Sequence, residues 1–212
     1  MPQQQAFLDS AQALGYPYCA DANDPDGYGA GPHPMNKLGR LRISAAIGYL
    51  APARLRSNLH VHGQTLVRRL LFSGKRCSGV EVENAAGAVS QINARLVVMC
   101  AGALMSPSIL LRSGIGPRAE LDKLGVDCVA DRPGVGKNLS DHPALGVLCD
   151  VQAPAVIDFD QPIIQTILRY TGQNSDKRND LQIEQISFAG RPGGPPQFCL
   201  RRYLSISTGA VN

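Results

Sequence analysis

Tryptophan is absent from the 212-residue chain, and other aromatic residues are few, with six Tyr and five Phe. The 16 Arg and five Lys are scattered singly or in pairs, and the formal net charge is only +4. Nucleic-acid-binding proteins usually gather basic residues on one face, together with aromatic residues or a recognisable motif. We therefore expect no nucleic-acid partner and interpret the dispersed charge as serving solubility.

Long hydrophobic runs are also absent. The longest apolar stretch, residues 96–105, is about half of the ~20 residues that a membrane-spanning helix needs. Residues 1–5 show neither the basic segment nor the apolar segment of a secretory signal. With 44% hydrophobic residues the chain can still bury a core. These features predict a folded protein with no membrane span and a cytoplasmic location.

Closely spaced cysteines are missing as well. Six cysteines occur, separated by 21 to 58 residues and without any C-x-x-C pair. This pattern favours reduced, buried cysteines over a disulfide framework or a zinc site. His60 and His62 could share one face of a strand, but no third ligand lies near them. We expect them to form an exposed polar face, and we expect no metal site.

The hydrophobic pattern divides the chain into three stretches. Residues 1–43 are rich in Gly, Pro and Asp, a composition typical of an ordered loop. Ser44 can cap a short helix that reaches Tyr49. Residues 66–72 and 79–83 predict a hairpin, and residues 89–94 predict a third strand.

A uniformly apolar segment, residues 96–100, predicts a strand buried on both faces of a parallel sheet. Small residues follow it, and then a helix is predicted to begin at the cap Ser106, with Pro107 in the first turn, and to end at Gly114. Ligands bind at the carboxyl ends of such strands. Small residues there let a cofactor approach the backbone closely.

The last stretch changes character. Residues 162–170 have apolar residues at helical spacing and predict a helix, whereas residues 180–187 alternate like a strand. Residues 190–196 are predicted to form a loop, followed by a strand over residues 203–207. Because the chain stops within this strand-like run, we expect it to be cut from a longer protein.

One apparent dinucleotide fingerprint is set aside. Residues 114–119 fit G-x-G-x-x-A, but they follow a predicted helix instead of a strand. The fingerprint binds a pyrophosphate only where it joins a strand to the N-terminus of a helix. We expect these glycines to end one helix and redirect the chain.

The longer segment that contains this motif indicates a protein family more specifically. Residues 102–117, Gly-Ala-Leu-Met-Ser-Pro-Ser-Ile-Leu-Leu-Arg-Ser-Gly-Ile-Gly-Pro, resemble the second signature of the glucose–methanol–choline (GMC) oxidoreductases. Further segments resemble the family in its order and spacing: residues 44–53 with 58–59, residues 67–72 with 79–81, and residues 133–139 with 141–143. The resemblance is dense over residues 23–144 and thin afterwards.

The resemblance implies an α/β fold that becomes α+β in its second part: a partial FAD-binding fold of the two-dinucleotide-domain type with the start of a substrate domain. The domains would be residues 1–144, lacking the N-terminal dinucleotide loop, and residues 145–212, a truncated substrate-binding domain. FAD would be the cofactor. It would oxidise the CH–OH group of a small-molecule alcohol to a carbonyl, and the electron acceptor stays open.

The resemblance also assigns cofactor-binding residues. Val67 matches a valine whose backbone faces the adenine of FAD, and Ala101 and Gly102 match small residues that close over the cofactor. Taken alone, Val67 would be an ordinary strand residue, and the other two would serve helix–strand packing. Asp141 and His142 fall near the flavin side in the family, although His142 alone is more typical of a structural turn.

The family's phosphate-binding loop lies upstream of the matched segment and its catalytic histidine lies downstream. We therefore assign no catalytic residue in this chain: His33, His60, His62 and His142 do not match that context. Two alternatives stay open. The chain could be an inactive remnant or truncated product, or it could belong to an FAD-containing hydroxynitrile lyase of the same fold.

Overall fold

The structure, a computed structural model, describes residues 2–150, 161–189 and 197–204. Contacts divide it into two compact units. The first unit joins Met1–Pro52 to Asp141–Asn212, and the second is Ala53–Ser140. The domains 1–144 and 145–212, which rest on the resemblance, stay a prediction.

In chain order, the helices and strands are α1 (Pro2–Ala13), β1 (Gly29–Pro32), β2 (Lys37–Leu38), β3 (Leu41–Arg42), a π-helical turn (Ala46–Leu50) that runs into α2 (Ala51–Ala53), β4 (Thr65–Ser73), β5 (Arg76–Asn84), β6 (Val89–Asn93), α3 (Gly102–Arg112), β7 (Ile115–Gly116), α4 (Arg118–Lys123), β8 (Ala130–Asp131), β9 (Ala144–Asp150), β10 (Ile164–Tyr170), β11 (Leu181–Ala189) and β12 (Gln197–Leu204).

The first unit is built on a five-stranded antiparallel sheet in the order β1-β10-β11-β12-β9. Helix α1 packs on this sheet, where Ala11, Ala30 and Leu168 form a buried core. The helix is also held by a polar contact: the buried Gln4 amide donates to the carbonyl of Gln185 at 3.0 Å. The Gln4 contact connects the start of the chain to a residue 181 positions away.

Two sequence expectations for this unit are wrong. Residues 162–170 were expected to be helical but contain β10, which pairs with a strand on each side. Its β-branched residues favour a strand, and the buried positions Thr166, Ile167 and Leu168 are consecutive because both faces are covered. The loop expected over residues 1–43 contains α1, which begins at Pro2, a position where proline favours helices.

The second unit contains the predicted hairpin and third strand. Strands β4, β5 and β6 form an antiparallel sheet in that order. Helix α3 begins four residues before the expected cap at Ser106, and Pro107 lies inside it. The Ser106 hydroxyl nevertheless accepts a hydrogen bond from the backbone N–H of Ala101, at 3.1 Å. The predicted helix after Ser44 is a π-helical turn with Ala45 at its cap position, although the Ser44 hydroxyl accepts from the N–H of Ile47 at 3.3 Å.

The apolar segment 96–100 is not a buried strand. It is irregular, and the side chains of Leu96 and Val98 are 78% and 73% exposed. A parallel strand needs neighbours for its backbone hydrogen bonds, and no described strand pairs with this segment. The sequence pattern therefore indicated a tendency to be buried, while pairing determines whether a strand forms.

The remaining expectations have mixed outcomes. Five described cysteines are free. The expectation of burial is confirmed for Cys19 and is wrong for Cys100, which is exposed, while the other three are half-buried. No helix in the described part of the chain is long and apolar enough to cross a membrane.

Strand β11 covers the predicted strand 180–187, and β12 overlaps the start of the last predicted strand. The predicted loop 190–196 lies outside the described residues, as do residues 205–207.

Candidate cofactor-binding site

The end of helix α3 is attached to the outer edge of strand β4. The buried hydroxyl of Ser113 accepts a hydrogen bond from the backbone N–H of Leu70 at 2.8 Å and donates to the carbonyl of Ile109 at 2.6 Å. Among the described strands β4 is the edge of its sheet, so no described strand on that side pairs with this N–H. Ser113, directly after α3, therefore satisfies a backbone donor that a further strand of the sheet would otherwise pair with.

Arg112 extends this attachment to the residue predicted to face adenine. Its guanidinium donates to the carbonyl of Arg68 at 2.9 Å and to that of Val67 at 3.4 Å. The register of β4 shifts between Val67 and Arg69, so the backbone is irregular at this point. Val67 is half-buried and pairs with the buried Val82 of β5. Its carbonyl thus lies on the edge of the sheet that faces α3.

The other two predicted residues lie at the opposite end of α3. Ala101 precedes the helix and Gly102 is its first residue; both are exposed. Gly102 has φ +78°, a conformation that residues with a Cβ adopt rarely. A Cβ built there would meet no atom within 4 Å, so packing within the described residues does not require glycine. The backbone is open to a group bound from outside.

Charged residues surround the strand beside Val67. Arg69 Nη2 lies 3.0 Å from Glu81 Oε2, and Arg68 Nη1 lies 3.2 Å from Glu83 Oε2. The hydrogen bonds from Arg69 lower the pKa of the Glu81 carboxyl below its usual value. These four side chains, with Leu66, Met105, Arg112 and Val126, line an open cavity of about 650 Å³. The cavity lies beside β4, β5 and α3, and its three arginines and two glutamates leave its lining with one positive charge in excess.

The apparent dinucleotide fingerprint lies elsewhere in the second unit. It follows α3, and Gly116 lies in β7, which pairs with β8. A Cβ at Gly116 would lie 2.5 Å from Leu111 Cδ2, so this glycine allows close packing inside the protein. The motif therefore ends one helix and redirects the chain, as predicted from its position in the sequence.

No cluster of three or more His, Cys, Asp or Glu side chains placed to hold a metal ion occurs in the described ranges. The backbone N–H of His142 donates to the carboxylate of the preceding Asp141 at 2.7 Å. His33 contacts the buried Glu184, with His33 Nε2 3.2 Å from Glu184 Oε1. Sequence reasoning missed this pair because its members are 151 residues apart and belong to no motif.

Comparisons with known proteins bear on the family to which the chain belongs. A family profile described as GMC oxidoreductase matches residues 1–144. An uncharacterised GMC-type oxidoreductase of Rhodococcus erythropolis is 41% identical over 167 residues, which are 79% of this chain and 34% of the relative. The 5-(hydroxymethyl)furfural oxidase of Methylovorus sp. strain MP688 is 42% identical over 72% of this chain and 29% of the relative.

A solved structure is also similar. The crystal structure of pyridoxine 4-oxidase from Mesorbium loti aligns with a TM-score of 0.85 and 28% identity, over 96% of this chain and 42% of that chain. This chain therefore spans about a third of the length of the two curated relatives and less than half of the solved structure.

Proposed function

The chain belongs to the GMC oxidoreductase family, and from this premise we propose that it forms part of an enzyme that oxidises the CH–OH group of a small-molecule alcohol to a carbonyl. The family match confirms the predicted family, the partial α/β FAD-binding fold and FAD as the cofactor. The cytoplasmic location stays the prediction made from the sequence.

The substrate class is suggested by the relatives. One is named as an oxidase of 5-(hydroxymethyl)furfural and the other as a 4-oxidase of pyridoxine. A hydroxymethyl group is a primary alcohol, so we propose a primary alcohol as the substrate here. When bound, FAD supplies the acceptor for the hydride, whereas the protein binds and orients the reactants.

Among the residues predicted to bind FAD, Gly102 has a local structure that leaves room for a cofactor. At Gly102 the backbone has a positive φ, is exposed and has open space where a side chain would project. Such a site permits close approach of a flat group to the backbone. We propose that Ala101 and Gly102 cover part of the cofactor and that the backbone of Val67 faces its adenine.

This chain's contribution would then be binding and positioning. Arg112 and Ser113 hold α3 against β4, which fixes the backbone at Val67. Oxidation of an alcohol also requires a base within hydrogen-bond reach of the hydroxyl. We place that base outside this chain, because none of its histidines matches the family's catalytic context.

The cofactor proposal rests on the open backbone with a positive φ at Gly102. A substitution of this glycine tests the proposal. In the full-length protein, Gly102→Val would place a branched side chain against the cofactor. We expect the Kd for FAD to rise by about tenfold or more, an increase worth about 1.4 kcal/mol. The measurement is bound flavin per protein and quenching of flavin fluorescence.

Gly125→Val is the matched control. Gly125 also has a positive φ, +66°, and no atom within 4 Å of a built Cβ, but it lies after α4. Both variants therefore carry similar backbone strain. Equal flavin affinity in the two variants would contradict the placement of Gly102 against FAD.

A further inference from the structure

A second cavity, of about 970 Å³, lies wholly within the first unit, and its charged lining has one sign. Lys37, Arg40 and Arg42 contribute cationic side chains, and no acidic residue is among the described residues that line it. A cleft lined by one sign of charge raises the local concentration of ions of the opposite sign. Its volume is also that of a site for a small organic ligand.

The backbone forces two of these cations together. Strands β2 and β3 form a hairpin in which Lys37 pairs directly with Arg42, so the two side chains share one face. Gly39, with φ +56°, occupies the first position of its two-residue loop, as a tight hairpin turn requires. Like charges in directly opposite positions of a strand pair are destabilising. Neither Lys37 nor Arg42 forms an ion pair with a described residue that would relieve this repulsion.

Apolar surface lies beside the cations. Met35 and Ile163 line the same cavity, and their side chains are 43% and 50% exposed. Ser44 lines it too and contributes a hydroxyl, whose oxygen already accepts from the N–H of Ile47. The hydroxyl hydrogen can therefore be donated to a ligand oxygen. The cavity offers donors and positive charge on one side and apolar contact on the other.

We propose that this cleft binds a small organic anion, a phosphate monoester or carboxylate attached to an apolar body. The anion lies between Lys37 and Arg42, accepts charge-assisted hydrogen bonds from both, and removes their mutual repulsion. The apolar body contacts Met35 and Ile163. The same anionic chemistry could come from a free ligand or from the diphosphate of a nucleotide cofactor. This inference does not depend on the proposed alcohol oxidation.

The test measures binding of phenyl phosphate and inorganic phosphate to the full-length protein by isothermal titration calorimetry. We expect phenyl phosphate to bind several-fold more tightly than inorganic phosphate, because only the former has an apolar body. The double variant Lys37→Gln and Arg42→Gln, which removes both cations, should weaken phenyl phosphate binding by about tenfold or more. The double variant Met35→Ala and Ile163→Ala should lose the preference for phenyl phosphate over inorganic phosphate.

The matched control is Lys75→Gln with Arg95→Gln. It removes two positive charges from exposed positions in the second unit and so reproduces the change in net charge. We expect it to bind phenyl phosphate like the unmodified protein. In the absence of ligand, the cleft variant should unfold at a temperature no lower than the control, because a repulsive pair has been removed.

Competition with ADP distinguishes the two sources of the anion. Displacement of phenyl phosphate by ADP supports the site and assigns it to a nucleotide diphosphate, whereas persistence of phenyl phosphate supports the site and assigns it to another ligand. Undetectable binding of phenyl phosphate would overturn the proposal. Equal weakening in the cleft variant and the control would overturn it too, because binding would then follow overall charge.

Discussion

At the scale of single residues, the pair formed by His33 and Glu184 is the clearest electrostatic feature. His33 Nδ1 lies 2.9 Å from the carbonyl of Pro34, and Nε2 lies 3.2 Å from Glu184 Oε1. Both ring nitrogens thus face oxygen acceptors, and only the doubly protonated imidazolium can donate to both. The hydrogen bond to Glu184 raises the pKa of His33 above its ordinary value of 6.5, although burial opposes the shift.

This pair predicts a dependence of stability on pH. Because the folded-state pKa of His33 is raised, its stabilisation is fully present below 6.5 and is lost as the pH rises through the folded pKa. We expect the free energy of unfolding of the first unit to fall over this range. Urea unfolding at a series of pH values measures it.

Two variants sharpen that experiment. Glu184→Gln removes the carboxylate and should flatten the pH dependence above 6.5. His62→Gln, which alters an exposed histidine in the second unit, should leave it intact. An unchanged slope in Glu184→Gln would show that the pair is not its source.

Single residues also show the limit of sequence reasoning. Motif matching selected Val67, Ala101 and Gly102, which lie within 36 positions of one another in one unit. It could not find His33 with Glu184, or Lys37 with Arg42 on one face of a hairpin, because no family motif was recognised at these positions. Hydrogen bonding and hairpin register bring those residues together.

At the scale of elements, alternation of apolar and charged residues over residues 79–83 predicted β5 and, with it, the hairpin to β4, because one face of that sheet is open to solvent. The prediction was wrong for β10, whose two covered faces remove the alternation and leave apolar spacing that imitates a helix. It was wrong for residues 96–100, where strand formation depends on partners that no local pattern reveals.

The attachment of α3 to β4 gives a prediction at this scale. Ser113→Ala removes the acceptor for the buried N–H of Leu70, and an unsatisfied buried donor costs about 1–3 kcal/mol. We expect the free energy of unfolding of the second unit to fall by that amount. Because Arg112 and Ser113 adjoin, the backbone at Val67 should also become less ordered, which amide hydrogen exchange of β4 measures.

Ser108→Ala is the control on the same helix. The Ser108 hydroxyl donates only to the carbonyl of Leu104 within α3, at 2.8 Å, so its removal should change stability little. Equal loss of stability in the two serine variants would contradict a special role for the contact between Ser113 and β4.

At the scale of the whole molecule, each unit has its own source of stability. The first unit joins the two ends of the described chain through β1, β10 and α1, an arrangement that sequence order alone does not indicate. The second is one continuous segment that contains all three predicted FAD-binding residues. Family resemblance predicted the fold class because its motifs lie mostly in that continuous segment.

We propose that this chain belongs to a flavoenzyme that oxidises a primary alcohol. The most direct measurement is the visible absorbance of the flavin in the full-length protein, recorded without oxygen while primary alcohols are added. We expect at least one alcohol to bleach the flavin as the flavin is reduced. A bound flavin that dithionite reduces but every alcohol leaves oxidised would contradict it and favour a lyase of the same fold.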